Sequence, residues 1–449
     1  MAGTTTPTER RGRVLREALA RGLLHPRDAV LAGFVDFDGL ADTVRALRRA
    51  FPEDLEVLHA FAAKANCLVP VLAELRSLGM GCEVAGAGEL SRALEAGFPP
   101  ERIVFDSPAK TLSELRWALE AGVSLNIDNF QELERVADLL RDDPPRAPIG
   151  VRVNPGVGGG AIEAMSTATE TSKFGIPLTD EVARERLLRA FRDHPWLTRL
   201  HTHVGSQGCP VDLIARGVAG TVAFAGEIDR VLGGRRVDGI DIGGGLPVNF
   251  ADDRVVPGFD THVEHLRRHA PALFGGDYAI TTEFGRSVMA KNGFTAAYVE
   301  YTKEAGDHRV AITHAGVQVA ARTVFAPGAW PLRIEAYHPD GTPKRGAPVV
   351  QDVAGPACFA GDLLARGRAL PLLEPGDIVV LPDTGAYYFS TPFHYNGLPE
   401  PAVHGVRSDP DGGLRTESVR PAQELPGVPV PDPAEESRRA GGAGRTPRG

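Results

Sequence analysis

The sequence predicts a (β/α)8 TIM barrel, an α/β fold, followed by a C-terminal β domain. Eight short apolar runs that stop at polar or glycine residues recur between residues 57 and 286, and most gaps carry apolar residues at helical spacing. Polar groups with chemical potential gather where those runs stop, which is the face of a barrel that carries its chemistry. After Arg286 the pattern changes to short β-rich segments separated by Pro and Gly.

The first 45 residues hold a charged helix, Arg10–Ala20, and are expected to lend a strand to the β domain. Residues 46–286 are read as the barrel. Its strands are placed at Val57–Ala63, Gly81–Ala85, Arg102–Phe105, Ser124–Ile127, Ile149–Val153, Leu200–Val204, Val237–Ile242 and Tyr278–Thr282. Helices are placed between them, for example at Val69–Arg76 and Gln131–Leu140. A doubly wound sheet is the competing architecture, and it would leave the first and last strands apart. The β domain is placed at 287–407, with segments Ala296–Thr302, Arg309–Ile312, Gly316–Phe325, Pro348–Val353 and Asp377–Leu381. From Ser408 few apolar residues remain among Pro, Gly, Arg and Glu, so 408–449 reads as a disordered tail.

The 449 residues are 43% hydrophobic and 24% charged, with a net charge of −9. That balance argues against a nucleic-acid partner. No apolar run approaches a membrane span, and the polar start of the chain lacks the apolar core of a signal peptide. Cys67, Cys82, Cys209 and Cys358 form no CxxC pair and no metal spacing, so no metal ligands are assigned. A cytoplasmic protein with reduced thiols is the expectation.

Three strand ends carry a specific chemistry. Lys64 ends the first run, Asp241-Ile242-Gly243-Gly244-Gly245 ends the seventh, and Glu283-Phe284-Gly285-Arg286 ends the eighth. A pyridoxal phosphate site needs such a set: a lysine for the Schiff base, glycine amides and an arginine for the phosphate, and a carboxylate for the pyridine nitrogen. Taken alone, Lys64 also reads as a solvated strand-end lysine, His203 as a core histidine, and the glycines as a loose turn.

Nine segments in order resolve those readings. They are Ala63-Lys64-Ala65-Asn66, Gly81–Leu90, Val151–Gly156, Ser172-Lys173-Phe174-Gly175, His203-Val204-Gly205-Ser206-Gln207, Asp241–Gly245, Glu283–Arg286, Gly355-Pro356-Ala357-Cys358 and Asp383–Tyr387. The chain resembles the alanine-racemase-fold (fold-type III) pyridoxal phosphate decarboxylases, above all the diaminopimelate decarboxylases, with ornithine and arginine decarboxylases further off. The resemblance implies pyridoxal 5'-phosphate held by Lys64, His203 stacked on its ring, and Ser206 with Gly243, Gly244 and Gly245 at its phosphate. It also implies Glu283 at the ring nitrogen, Arg286 at the phosphate or the substrate carboxylate, and Tyr387 reaching the cofactor. Cys358 is implied to come from the partner subunit and to return a proton to Cα, which requires a homodimer with shared sites. Glu283 favours decarboxylation over racemisation, because the racemases of this fold use arginine there.

The part of the pocket that reads the far end of the substrate departs from the family. Arg322 matches the arginine for a distal carboxylate, but Ala326, beside Phe325, stands where a tyrosine is usual. Phe359 stands where an acid reads the distal amine, and Gly397-Leu398-Pro399 replaces an Arg-Pro-Arg run. Phe284 stands where the family usually has proline. Such a pocket disfavours a second ammonium group. The expected reaction is decarboxylation of an amino acid other than meso-diaminopimelate, one whose distal amine is absent, masked, conjugated or carrier-linked, as in natural-product or siderophore pathways. Three alternatives stand beside it. They are a true diaminopimelate decarboxylase making L-lysine, with Glu163 or Glu170 supplying the acid; an amino-acid racemase using Lys64 and Tyr387; and an inactive regulatory homologue.

Overall fold

The computed structural model describes residues 6–306 and 308–425. Helix α1 (Pro7–Ala20) begins earlier than its charge pattern predicts, because Thr6 and Glu9 form a reciprocal capping box. Strand β1 (Leu31–Asp36) leads into α2 (Phe37–Ala50), whose N-terminus is capped by the Asp36 carboxylate accepting from Gly39 N–H.

The barrel strands follow as β2 (Val57–Ala62), β3 (Gly81–Val84), β4 (Ile103–Asp106), β5 (Ser124–Ile127) and β6 (Ile149–Asn154). After a two-residue strand, β7 (Ile176–Pro177), come β8 (Leu197–His201), β9 (Gly239–Asp241) and β10 (Ala279–Thr282). Helices α3 (Val69–Ser77), α4 (Ala87–Glu95), α5 (Leu112–Ala121), α6 (Phe130–Leu139), α7 (Glu181–Asp193), α8 (Val211–Leu232) and α9 (Phe259–His269) alternate with them. Neighbouring strands pair in parallel, and β10 pairs with β2, Ile280 opposite Val57, which closes the ring. That closure excludes the doubly wound sheet.

Strand alternation divides apolar from polar. On β3, Cys82 and Val84 join the core between strands and helices, and Glu83 does not; on β6, Val151 and Val153 flank Arg152 in the same way. The Asn126 amide on β5 donates to Asp241 on β9 at 3.0 Å. Those strands are not neighbours, so the bond crosses the barrel interior. The interior at this level is therefore polar and charged.

The short α10 (Arg286–Met289) leads from the barrel into β11 (Gly293–Ala305) and β12 (His308–Thr313), which are followed by α11 (Val317–Phe325). The remaining strands are β13 (Glu335–Tyr337), β14 (Val349–Ala354), β15 (Leu363–Leu370), β16 (Ile378–Leu381), β17 (Ala402–Ser408) and β18 (Leu414–Arg420). The sheet runs β15-β14-β12-β11-β1-β17-β18, and β16 pairs with β11 and β13. Strand β1 is the strand lent by the N-terminal segment, antiparallel to β11 and parallel to β17.

Two expectations are corrected. Gly316–Phe325, read as β-rich from its valines, is helical from Val317, kinked at Ala320, and anchored by Val317 N–H donating to Asp362 at 2.7 Å. The tail expected from Ser408 begins instead with β18, paired antiparallel with β17. An edge strand buries few side chains, here Leu414 and Val419, so its composition resembles that of a tail. Residues 426–449 of that expected tail lie outside the described residues. Among the described residues, no helix is long and apolar enough to cross a membrane.

An ion-pair network ties the N-terminal helix, barrel and β domain together. Asp253 pairs with Arg11 at 3.1 Å and Arg333 at 2.8 Å, and Asp383 pairs with Arg333 at 2.9 Å and Lys291 at 3.4 Å.

Candidate active site

Strand β2 stops at Ala62, and a single tight turn, Ala63–Ala65, presents Lys64 at its end. Lys64 Nζ donates to Glu83 Oε2 at 2.9 Å. Its side chain is 39% exposed to a cleft of about 240 Å³, whereas Glu83 is fully enclosed. Burial opposes the Lys64 charge, but the carboxylates of Glu83 and Glu283 hold its pKa above the ordinary value. Burial likewise pushes Glu83 up, against the pull of the Lys64 ammonium. The same cleft is lined by His203, Ser206, Gly245, Glu283, Arg286, Arg322 and Tyr387.

Glu283 is the end of a buried charge relay. His201 stands between two carboxylates, with Nδ1 3.4 Å from Asp106 and Nε2 3.5 Å from Glu283. Asp106 in turn accepts from Arg152 at 2.8 Å. Burial works against every charge here, yet the partners prevail: His201 is held well above its ordinary pKa and Glu283 well below its own. Asp241 is pushed by burial and by Glu283 up to about 7. His203 Nδ1 accepts from Gly244 N–H at 3.3 Å, and burial lowers its pKa, which favours a neutral ring.

Two arginines converge on the cleft without a counter-charge. Arg286 packs 4.6 Å from the ring centres of both Trp330 and Tyr387, and Arg322 packs 4.1 Å from Tyr387. Among the described residues, no carboxylate pairs with either guanidinium. Buried Nε and Nη1 of Arg286 and Nη1 of Arg322 make no hydrogen bond. Burial, with Arg322 alongside, lowers Arg286 to about 10. Such a pair is suited to an anion.

The glycine triplet follows β9. Gly243 N–H donates to Asp241 and Gly244 N–H to His203, so two of its amides are already engaged, and only Gly245 lines the cleft. A Cβ on Gly244 would lie 2.2 Å from Glu283 O, and one on Gly245 2.0 Å from Gly205 O. Glycine is required there by the close approach of neighbouring strand ends.

Cys358 and Phe359 do not line this cleft. Cys358 is exposed, and its N–H donates to Asn396 at 2.7 Å. Phe359 stacks on Phe325 at 6.0 Å and 9° and meets Tyr395 edge-on at 5.0 Å. Phe393 meets Phe325 edge-on at 5.5 Å, and Phe325 and Phe393 are exposed.

Comparison with known proteins identifies the family. A family model described as "Pyridoxal-dependent decarboxylase, pyridoxal binding domain" matches residues 38–290. The chain belongs to the pyridoxal-dependent decarboxylases. It is 32% identical to a diaminopimelate decarboxylase of Pseudomonas aeruginosa over 386 residues, 85% of this chain and 89% of that protein. To one of Pseudomonas fluorescens it is 34% identical over 367 residues, 79% and 83% of the two chains. The structure of Helicobacter pylori diaminopimelate decarboxylase complexed with L-lysine superposes with a TM-score of 0.77 at 26% identity, covering 90% of this chain and 96% of that one.

As a decarboxylase of this family, a lyase, the enzyme uses pyridoxal 5'-phosphate, and the cleft fits it. Both Glu283 oxygens are buried without a hydrogen bond, as a carboxylate awaiting a ring N–H would be. The unpaired arginines suit the anionic groups, and Lys64 reaches the same space.

The sequence reading overlooked Glu83, Asp106, Arg152 and His201 as site residues, along with Phe174 and Met165 in the cleft wall. A signal was present for the first four. Each is an ionisable residue within or ending a short apolar strand, a position that is costly to occupy without a partner.

Proposed function

We propose that the protein decarboxylates an amino acid at the Lys64 cleft, and that this substrate carries no free distal ammonium group. The observation behind the first part is the buried Glu283 carboxylate, both oxygens free of hydrogen bonds, in the cleft that Lys64 lines. Pyridoxal phosphate, when bound, supplies an electron sink for the bond that breaks at Cα. Lys64 would hold the cofactor covalently and yield it to the substrate amine. Glu283, kept anionic by His201, would hold the proton on the ring nitrogen. His203 would lie against the ring, Ser206 and the Gly245 region would take the phosphate, and Tyr387 would close the cleft. Arg286 would take the phosphate or the α-carboxylate, and Arg322 an anionic group further out.

Cys358 is exposed and away from its own cleft, which supports delivery to the cleft of a second copy in a homodimer. There its thiol would supply the proton that Cα needs once carbon dioxide has left. Phe359 is its neighbour and travels with it. The aromatic cluster of Phe359, Phe325, Phe393 and Tyr395 holds no carboxylate, which supports an apolar, masked or conjugated distal end for the substrate. All four cysteines are free, which supports a cytoplasmic enzyme.

One observation favours a second reading, decarboxylation of meso-diaminopimelate to lysine. Ala164 and Met165 line the cleft directly beside exposed Glu163, which could supply the missing acid. Carbon dioxide release decides between the two. The panel is meso-diaminopimelate, ornithine, lysine, arginine, glutamate and N-acylated diamino acids, with Lys64→Ala as blank. Turnover of substrates lacking a free distal amine, with Phe359→Glu shifting preference toward diamino acids, is the expected result. Efficient turnover of meso-diaminopimelate by the unaltered protein, lost in Glu163→Gln, would overturn it.

A further inference from the structure

We propose that Asp212, His265 and His269 form a divalent transition-metal site, of the kind zinc occupies, that staples α9 to α8. His265 and His269 are four residues apart, so both lie on one face of α9. Asp212, in the first turn of α8, faces them. His269 Nε2 lies 2.7 Å from Asp212 Oδ1, and His265 Nδ1 lies 3.6 Å from the same oxygen. All three donor atoms fall within 4.8 Å of one another. A zinc ion sits about 2.0–2.2 Å from imidazole nitrogen and carboxylate oxygen, so donors this close can share one ion.

The donor set is suited to such a metal. Two imidazoles and one carboxylate suit zinc and its neighbours rather than calcium or magnesium, and they leave a coordination position for water. His265 Nδ1 is buried and has no hydrogen-bond partner, so one ligand atom already points into the cluster unsatisfied. The two rings are nearly parallel, 18° apart with centres at 6.4 Å. The other Asp212 oxygen accepts from Arg216 at 3.0 Å, which turns Oδ1 toward the histidines. The Arg216 charge also opposes a cation and keeps the affinity moderate. The side chains are 42%, 23% and 26% exposed, in the order Asp212, His265, His269, so an ion can enter from solvent.

The ion takes the place of the proton now held between His269 Nε2 and Asp212 Oδ1. The His269 ring then carries its hydrogen on Nδ1, leaving Nε2 free to face the ion. None of the three residues lines the Lys64 cleft. The staple bears on the barrel through α9, whose Phe259 and His262 pack edge-on against Phe284, beside Glu283, at 5.2 and 5.4 Å.

The test uses untagged, cofactor-loaded full-length protein, freed of metal with a chelator and titrated with Zn²⁺ by calorimetry. One saturable equivalent is expected, with a rise in thermal midpoint that the chelator reverses. His265→Ala and His269→Ala should each weaken binding by more than the roughly 10–100-fold that loss of an outer-shell partner costs. Asp212→Asn, nearly isosteric, should weaken it without unfolding the protein. With Co²⁺, the spectrum should show nitrogen and oxygen ligation with no thiolate charge-transfer band. Absence of saturable binding, binding that survives both histidine substitutions, or a thiolate band pointing to Cys358 would each overturn the site.

Discussion

His201 Nε2 lies 3.5 Å from Glu283 Oε2, and neither side chain has any exposed surface. Each sustains the charge of the other. Replacing His201 by Gln leaves Glu283 a buried carboxylate without its adjacent imidazolium, while Asp106 keeps Arg152. Breaking a buried pair in this way costs about 3–5 kcal/mol. We expect His201→Gln to lower the urea unfolding free energy by an amount in that range, and to lower kcat because Glu283 then takes up a proton. Denaturation and steady-state kinetics on the same preparation check both.

The pH dependence of stability has a definite sign above about pH 6.5, the ordinary histidine value. Glu83 and Asp241 have native pKa values raised to about 8 and about 7. His201 is raised as well. In this window the native state binds more protons than the unfolded chain, so stability falls as pH rises. His59 and His262, lowered by burial to about 4, act in the opposite sense with His203 and His404, also lowered by burial, and that opposition fades as pH climbs past the ordinary histidine value. The urea midpoint of the cofactor-free protein should therefore decline between pH 6.5 and 8. Glu83→Gln and Asp241→Asn should flatten the decline; an unchanged slope in both would refute the assignment.

Lys64→Ala should abolish covalent cofactor retention and carbon dioxide release together. The visible absorbance of the lysine-bound cofactor should be lost on dialysis, while circular dichroism stays native. Retained absorbance would mean that another amine holds the cofactor.

Arg322 and Arg286 should separate kinetically. Arg322→Met is expected to raise KM by about tenfold or more with kcat little changed, the mark of an interaction made equally in ground and transition states. Arg286→Met is expected to weaken cofactor retention, read as the cofactor concentration needed for half-maximal activity.

Asp383 combines two demands. It pairs with Arg333 and Lys291, and its φ of 62° is left-handed. Asn tolerates that backbone and Ala does not. Asp383→Asn should cost on the order of 3 kcal/mol, because Lys291 loses its carboxylate and Arg333 keeps only Asp253. Asp383→Ala should cost about 1–2 kcal/mol more from the backbone. Equal losses would show that the backbone term is absent.

The barrel was legible because its signal is repetitive. Eight apolar runs ending in polar residues can close a ring, and the structure places a barrel strand on each. Lys64, Glu283, Arg286, His203, Ser206 and Tyr387 were legible because each sits at a strand end or inside a distinctive motif. Three kinds of residue were not. His201 and Asp106 stand out as ionisable strand ends, but their partner is not legible, since only ring closure brings them to Glu283. Val317–Phe325 carries β-favouring valines, yet Asp362, 45 residues away, anchors it as a helix. Trp330 shows nothing in sequence that ties it to Arg286, because their stacking is a tertiary contact.

The turn that presents Lys64 is fastened from outside the barrel. Ala65 O accepts from Tyr387 N–H at 2.8 Å and from the Ser390 hydroxyl at 3.1 Å, and the Asn66 amide donates to Gly385 O at 3.0 Å. The barrel and its companion sheet are therefore not interchangeable modules. A chimera that exchanges the C-terminal half with a relative must carry residues 385–390 along with the barrel they grip, or its lysine will be left on an untethered turn. A nick between the halves that spares those contacts should leave the lysine in place.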